Sequence, residues 1–358
     1  MTTSANSIIK TLLILFLVFA GLHYAKEFLM PLAIGGVLAT LFLPFCKWME
    51  GKKWPRGLAV FSCLLILLIA ITGVCFMFGW QIAELTNDLG VLTQKATEIF
   101  ERIQEYIYNH FGISRVKQAE LIKDQQNLVG GIIQSLAGSL EYAFTNFILI
   151  LIYFFLLLFY RIHIKNFLLK LAPVAQQNEM REVIYGATQV SQQYLLGLTK
   201  MIVGLWILYG IGFSILGVPN PIFFAVLCGI LEIIPFIGNI IGTVTTLLVS
   251  AVHGAGLPML IGIAATYALV QMIQAWVLAP LILGPQVKIN PLFTIISLIL
   301  GNLVWGIPGV ILAIPLTAMF KIVCDHIESL KPYGFLIGEI QAKKTPPKFI
   351  KKMKSWSK

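Results

Sequence analysis

Eight stretches of this chain carry at most one charged residue each and approach the length of a bilayer crossing. A helix spanning the ~30 Å hydrocarbon core needs ~20 apolar residues, with a range of roughly 17–25. Runs 8–25, 28–46, 57–80, 143–160, 201–217 and 257–283 meet that need. Two more, 221–252 and 291–320, are interrupted near the middle by Pro and Gly. They are too long for one crossing and too short for two comfortable ones. Backbone groups in lipid must be satisfied within the segment, so such runs form helices. The pattern predicts an all-α polytopic integral membrane protein of about eight hydrophobic segments. Charge supports this: Asp, Glu, Lys and Arg make up 12% of 358 residues, half the ~25% that clads a soluble domain. The first run is long for a signal peptide, lacks a small-x-small cleavage site and leads into another apolar run. It is read as an uncleaved span.

Lysine and arginine in short loops set the orientation. Loop 47–56 holds Lys47, Lys52, Lys53 and Arg56 against Glu50. Segment 161–200 holds Arg161, Lys165, Lys170, Arg181 and Lys200 against Glu179 and Glu182, and the tail from Lys321 holds nine lysines against three acids. All three are expected in the cytoplasm, and so are both termini. Segment 81–142, with five basic and eight acidic residues, is expected outside. The net charge of +10 therefore serves topology, and nucleic-acid binding is not expected.

The expected organisation follows. Residues 1–80 form transmembrane helices one to three, and 81–142 an extracytoplasmic helical hairpin. Residues 143–200 form the fourth transmembrane helix and a cytoplasmic amphipathic helix at the membrane surface. Residues 201–324 form a transport core, and 325–358 a basic cytoplasmic tail. In the external segment Ile82, Leu85, Leu89, Leu92, Ala96, Ile99, Ile103 and Tyr106 repeat every three and four residues, a heptad seam. It continues the third span outward. Two packings satisfy it: a hairpin closed on itself, or a seam shared between subunits of a homo-oligomer.

Asn220-Pro221-Ile222-Phe223 opens the first interrupted region and Asn290-Pro291-Leu292-Phe293 the second. Each leads to an Ile-Pro break, at Ile234-Pro235-Phe236-Ile237-Gly238 and at Ile307-Pro308-Gly309, and each follows a full-length span. This order reads as a degenerate repeat of one span plus one broken hairpin. Proline removes a backbone donor and clashes with the preceding turn. Carbonyls freed at membrane depth must be buried in protein or face water. Two re-entrant hairpins would dip in from opposite sides, an inverted repeat of the kind that places transporter sites near the midplane. Full crossings by every half would also keep both termini on one side.

Glu232 is the only acidic residue between Glu182 and Asp325. A carboxylate in hydrocarbon costs ~2.5–3.5 kcal/mol or more and is a functional candidate by default. Beside the first break it suits proton exchange, or cation binding together with freed carbonyls. The bland alternative is a hairpin tip reaching water. Asn220, Asn239, Asn290 and Asn302 flank the breaks, and Gln271 and Gln274 lie one turn apart with Tyr267 another turn back. Such amides either line a path or join helices by hydrogen bonds. Glu232, Pro235, Gly238, Asn239, Asn220, Asn290, Gln271, Gln274, Asn302, Pro308 and Gly309 are the pathway candidates. His253 is read as an interfacial residue. The cysteines Cys46, Cys63, Cys75, Cys228 and Cys324 show no CxxC, so neither disulfides nor a metal site are expected. The chain carries no GxxxxGK[ST], HExxH or GxSxG. No enzyme activity and no cofactor are expected.

Val218-Pro219-Asn220-Pro221, Glu232-Ile233-Ile234-Pro235-Phe236-Ile237-Gly238, Leu278-Ala279-Pro280 with Gly284 through Asn290-Pro291, and Trp305-Gly306-Ile307-Pro308-Gly309 to Ile314-Pro315 together resemble the autoinducer-2 exporter family of bacterial inner-membrane permeases. The resemblance runs through most of the chain, with its specificity concentrated in 217–320. It implies about eight hydrophobic segments and an extramembrane helical insert after the third. It also implies export of a small signalling molecule or sodium(lithium)/proton antiport. Its expected partners are the lipid bilayer and a small-molecule or cation substrate. A secondary transporter is the leading reading. A passive oligomeric pore, or a membrane scaffold acting through the external helices, are its rivals.

Overall fold

The structure is a computed structural model that describes residues 5–87, 108, 145–234, 237–283 and 288–339. The expected external hairpin and the distal basic tail therefore fall almost wholly outside the described residues. Every named element among the described residues is helical. The chain folds as an all-α polytopic membrane protein. The helices in order are α1 Ala5–Tyr24, α2 Lys26–Gly51, α3 Arg56–Asn87, α4 Thr145–Phe159, α5 Arg161–Leu171 and α6 Gln177–Ile215. They continue with α7 Pro221–Leu231, α8 Ile237–Val252, α9 Leu257–Ile273, α10 Pro291–Trp305, α11 Ile307–His326 and α12 Lys331–Ile337. A π-helical segment, Gln274–Leu283, extends α9.

Among the described residues five helical segments are long and apolar enough to cross a membrane: Lys26–Gly51, Arg56–Gln81, Val174–Ile215, Leu257–Ile282 and Ile307–His326. Helices α4 and α5 form a pair bent by 69°. No Pro or Gly stands at that bend; the apolar run ends at Tyr160 and a basic segment begins. The amphipathic stretch near 180–198 and the apolar run 201–217 form one continuous helix of 39 residues, α6. Nothing between them breaks the backbone ladder.

Among the described residues two large apolar cores, and a small third one around Ile289, Ala318 and Ile337, hold the helices together. The first joins α2, α3 and α4 through buried Cys46, Ala59, Val60, Cys63, Phe154 and Leu158. At Gly35 an added Cβ would lie 2.9 Å from the Tyr153 Cβ and 3.1 Å from the Ile150 carbonyl oxygen. Only glycine lets α2 and α4 approach that closely. The second core joins α6, α7 and α9 through Leu205, Tyr209, Phe213, Phe224, Cys228 and Ile263. Around both cores the outward surface is apolar: Phe76 is 72% exposed and Trp276 79%. Water would penalise that surface and lipid does not.

Both Asn-Pro motifs start helices, with Pro at the first turn, where its missing N–H is no loss. Their conformations differ. Asn220 sits in the left-handed region at φ 51 and makes no side-chain cap. Asn290 is extended, and its Oδ1 accepts from Phe293 N at 2.9 Å. Its Nδ2 donates to the Leu336 carbonyl at 2.7 Å, so this residue also docks α12.

Candidate functional site

Glu232 caps the C-terminus of α7, its N–H donating to the Cys228 carbonyl at 3.2 Å. The site forms because α8 folds back against α7. A Cβ at Gly238 would collide with the Leu231 carbonyl, and one at Gly242 would lie 2.9 Å from Cys228 Sγ. Two glycines thus bring the start of α8 onto the end of α7. They place Asn239 beside the Glu232 carboxyl.

From the other side α9 supplies two amides. Gln274 Nε2 donates to Glu232 Oε1. Gln271 Nε2 donates to Tyr209 Oη at 3.4 Å, tying α9 to α6 one turn away. Gln274 stands where α9 widens into the π-helical segment, a distortion frequently found at functional sites. Pro280, inside that segment, removes one ladder bond and helps to widen the turn. Tyr209, Cys228 and Tyr267 lie within electrostatic reach of the carboxyl. No Lys or Arg among the described residues forms an ion pair with it.

Several polar oxygens of the site are left without a partner among the described residues. Glu232 Oε2, Gln274 Oε1, Asn239 Oδ1 and Thr243 Oγ1 are buried with no protein hydrogen-bond partner among the described residues. Along α8 the polar residues Asn239, Thr243, Thr246 and Ser250 recur at intervals of four, three and four. All four are buried, none more than 6% exposed. That spacing sets them on one helix face, a stripe ~16 Å long at 1.5 Å per residue. Ser250 Oγ, at the far end, is also unpartnered among the described residues. Thr246 donates to the Gly242 carbonyl at 2.8 Å. A stripe of hydroxyls therefore runs along α8 toward Asn239 and the half-buried Glu232.

Of the residues singled out in the sequence, the structure gathers Glu232, Gly238, Asn239, Gln271 and Gln274 into this one region. Asn220 and Asn290 open helices instead. Asn302 is exposed, and its carbonyl accepts from Gly306 N at 2.8 Å. Pro308 and Gly309 lie at the second break, where a Cβ at Gly309 would fall 2.6 Å from the Gly301 carbonyl carbon. Pro235 lies outside the described residues. Thr243, Thr246 and Ser250 went unnoticed in the sequence, although their spacing from Asn239 was there to read. Among the described residues no three His, Cys, Asp or Glu gather in a way that could hold a metal ion.

A family model described as "AI-2E family transporter" matches residues 12–329. The chain belongs to the AI-2E transporter family. The matched range includes both broken units and all the site residues just described. Its relatives include proteins named "Putative transport protein". YrrI of Bacillus subtilis is 24% identical over 318 residues, covering 84% of this chain and 87% of the relative. YhhT of Escherichia coli K12 is 22% identical over 339 residues, covering 93% and 94%. The Synechocystis protein sll0063 is 27% identical over 318 residues, covering 84% and 78%. Membership in the AI-2E family and the set of apolar spans support a role in membrane transport.

Proposed function

We propose that this AI-2E family member is a secondary transporter whose coupling group is Glu232. One observation carries the reading. The single carboxylate of the core is half-buried, with its Oε2 enclosed, beside the amides of Asn239 and Gln274, whose oxygens, like the Thr243 hydroxyl one turn along α8, have no protein partner among the described residues. Such a set suits a proton or a small monovalent cation, because hard cations take oxygen ligands. It disfavours an anionic solute, which would need the Lys or Arg that the site lacks. Exchange of sodium or lithium for protons is therefore the reading the geometry supports best. Export of a small neutral hydrophilic solute, of the autoinducer-2 kind, driven by protons at Glu232, is the second. The hydroxyl stripe on α8 favours both over a scaffold.

The two broken units are proposed as inverted re-entrant hairpins that flank this site. Helix α7, at ~16 Å by 1.5 Å per residue, cannot cross the bilayer alone. The protein is further proposed to sit as an oligomer in a bacterial inner membrane with both termini cytoplasmic. Cysteines introduced at positions 236 and 306 would then be labelled from opposite faces.

The test is flux in proteoliposomes under an imposed pH gradient, comparing the native protein with Glu232→Gln. Native protein should drive sodium or lithium uptake when the lumen is acid, and the variant should lose that coupling while inserting normally. Equal gradient-driven flux in both would overturn the assignment. Flux through both that ignores the pH gradient would point to a passive pore.

A further inference from the structure

On the face that the lysine-rich loops assign to the cytoplasm, a cavity of about 850 Å³ opens between α2, the α4–α5 bend and the start of α6. Its inner wall is apolar and includes Gly36, Leu43, Leu157, Leu168 and Ile184. Its rim carries Lys47, Arg161, Lys165 and Arg181 against Glu50 and Glu182. Arg161 is engaged: it pairs with Glu50 and donates to Cys46 Sγ at 3.1 Å. Lys47, Lys165 and Arg181 are exposed and make no ion pair among the described residues. The cavity is far from Glu232, which lies among α7, α8 and α9.

The surroundings identify the depth. Helix α5 has no buried residue, and Ile162, Phe167 and Leu171 on it are more than half exposed. A basic helix of that kind lies in the headgroup layer with its apolar side chains turned into the acyl boundary. The 69° bend after α4 is what turns it along the membrane surface. Trp48, next to Lys47, and Trp54 are also exposed, as expected of residues at the headgroup level. The opening thus faces headgroups, while its wall continues the hydrocarbon.

We propose that this cavity binds one anionic phospholipid. Its phosphodiester would sit among Lys47, Lys165 and Arg181, and an acyl chain would fill the space against Gly36, Leu157 and Ile184. Charge complementarity carries the choice of occupant. Unpaired cations at the mouth of an apolar slot between membrane helices match an anionic headgroup joined to a hydrocarbon tail. A soluble anion would leave the apolar wall unfilled, and a zwitterionic lipid would leave the cations half neutralised. The volume lies within the ~300–1,000 Å³ typical of ligand sites.

The test uses the full-length purified protein in nanodiscs of phosphatidylcholine alone or with phosphatidylglycerol. Native mass spectrometry reads retained lipid, and thermal unfolding reads stabilisation. The native protein should retain one phosphatidylglycerol in preference to phosphatidylcholine and melt several degrees higher with it. The Lys47→Ala/Lys165→Ala/Arg181→Ala variant should lose that preference at least tenfold. Gly36→Leu keeps every charge but extends into the slot, and it should lose retention as well. Folding of either variant is checked by its melt in phosphatidylcholine. Equal retention of the two lipids by native protein would overturn the proposal. So would full retention by Gly36→Leu, which would reduce the effect to surface charge. Displacement of the lipid by inorganic phosphate alone would also overturn it.

Discussion

Thr243→Val and Thr246→Val are the same chemical change one turn apart on one helix face, yet the structure assigns them opposite effects on stability. Both residues are buried, at 6% and 0% exposure. Thr246 donates to the Gly242 carbonyl at 2.8 Å, whereas Thr243 Oγ1 has no protein partner among the described residues. A buried hydroxyl without a compensating bond costs ~1–3 kcal/mol. Valine keeps the β-branched shape and the χ1 preference that a helix imposes. Thr243→Val should therefore stabilise the protein by about 1 kcal/mol or more. Thr246→Val forfeits a hydrogen bond and should destabilise by ~0.5–1.5 kcal/mol. Transport should separate them in the other direction. A hydroxyl that contacts a partly desolvated cation is worth ~1.5–3 kcal/mol. Its loss slows passage ~10–150-fold at ~1.4 kcal/mol per decade. Thr246, already committed to a carbonyl, should cost flux much less. The assays are tryptophan-fluorescence melts of purified protein and cation flux in proteoliposomes. If Thr243→Val melted below the native protein and kept its flux, the hydroxyl would be structural and the α8 stripe would not be a path.

Three further substitutions probe the packing away from Glu232. Gly309→Ala would press a Cβ onto the Gly301 backbone at 2.6 Å, so it should lower stability by at least the ~1–3 kcal/mol of ordinary overpacking. A melt indistinguishable from native would show that α10 and α11 are not held by backbone contact. Asn290→Ala removes the cap on Phe293 N and the bond to the Leu336 carbonyl. It should cost ~0.5–2 kcal/mol and raise deuterium exchange over 331–338. Arg161→Ala strands Glu50, whose side chain is 26% exposed, and should destabilise by about 1–3 kcal/mol, discounted from the 3–5 kcal/mol of a fully buried pair. Adding Glu50→Leu should recover most of that loss, and no recovery would argue against the pair.

Spans were legible in the sequence because lipid demands one simple property over ~20 residues. Continuity was not legible. Hydropathy separates 201–217 from the polar stretch before it, but a helix ladder does not depend on hydropathy, and α6 runs through both. The α4–α5 bend gave no Pro or Gly signal either. The paired Asn-Pro motifs correctly mark two helix starts, but four identical or similar residues adopt different geometries. Asn220 has φ 51 and Asn290 φ −71, set by the turns that precede them. Glu232 stood out because it is alone. Its link to Gln274 joins positions 42 apart in sequence, and no local pattern encodes that. The hydroxyl stripe was hidden by its ordinariness: Ser and Thr in membrane helices commonly bond their own i−4 carbonyls, as Thr246 does. What marks the stripe is that Thr243 and Ser250 make no such bond among the described residues and lie on the buried face.

The two broken units share a construction principle and divide the chemistry. In both, glycine brings consecutive half-helices into backbone contact: Gly238 against the Leu231 carbonyl, and Gly301 against Gly309. Between α10 and α11, however, the hydroxyls satisfy each other, Thr317 donating to Ser297 at 2.8 Å. The turn joining them is Gly306 at φ 64 and ψ −141, which a side chain would strain. No carboxylate stands there. Between α7 and α8 the polar atoms are left open and the carboxylate is present. A satisfied, glycine-tight hairpin suits a rigid support. An unsatisfied one suits the proposed cation site, whose missing partners would arrive with the ion. Substitutions in the second unit should therefore act through packing, and those in the first through the ion.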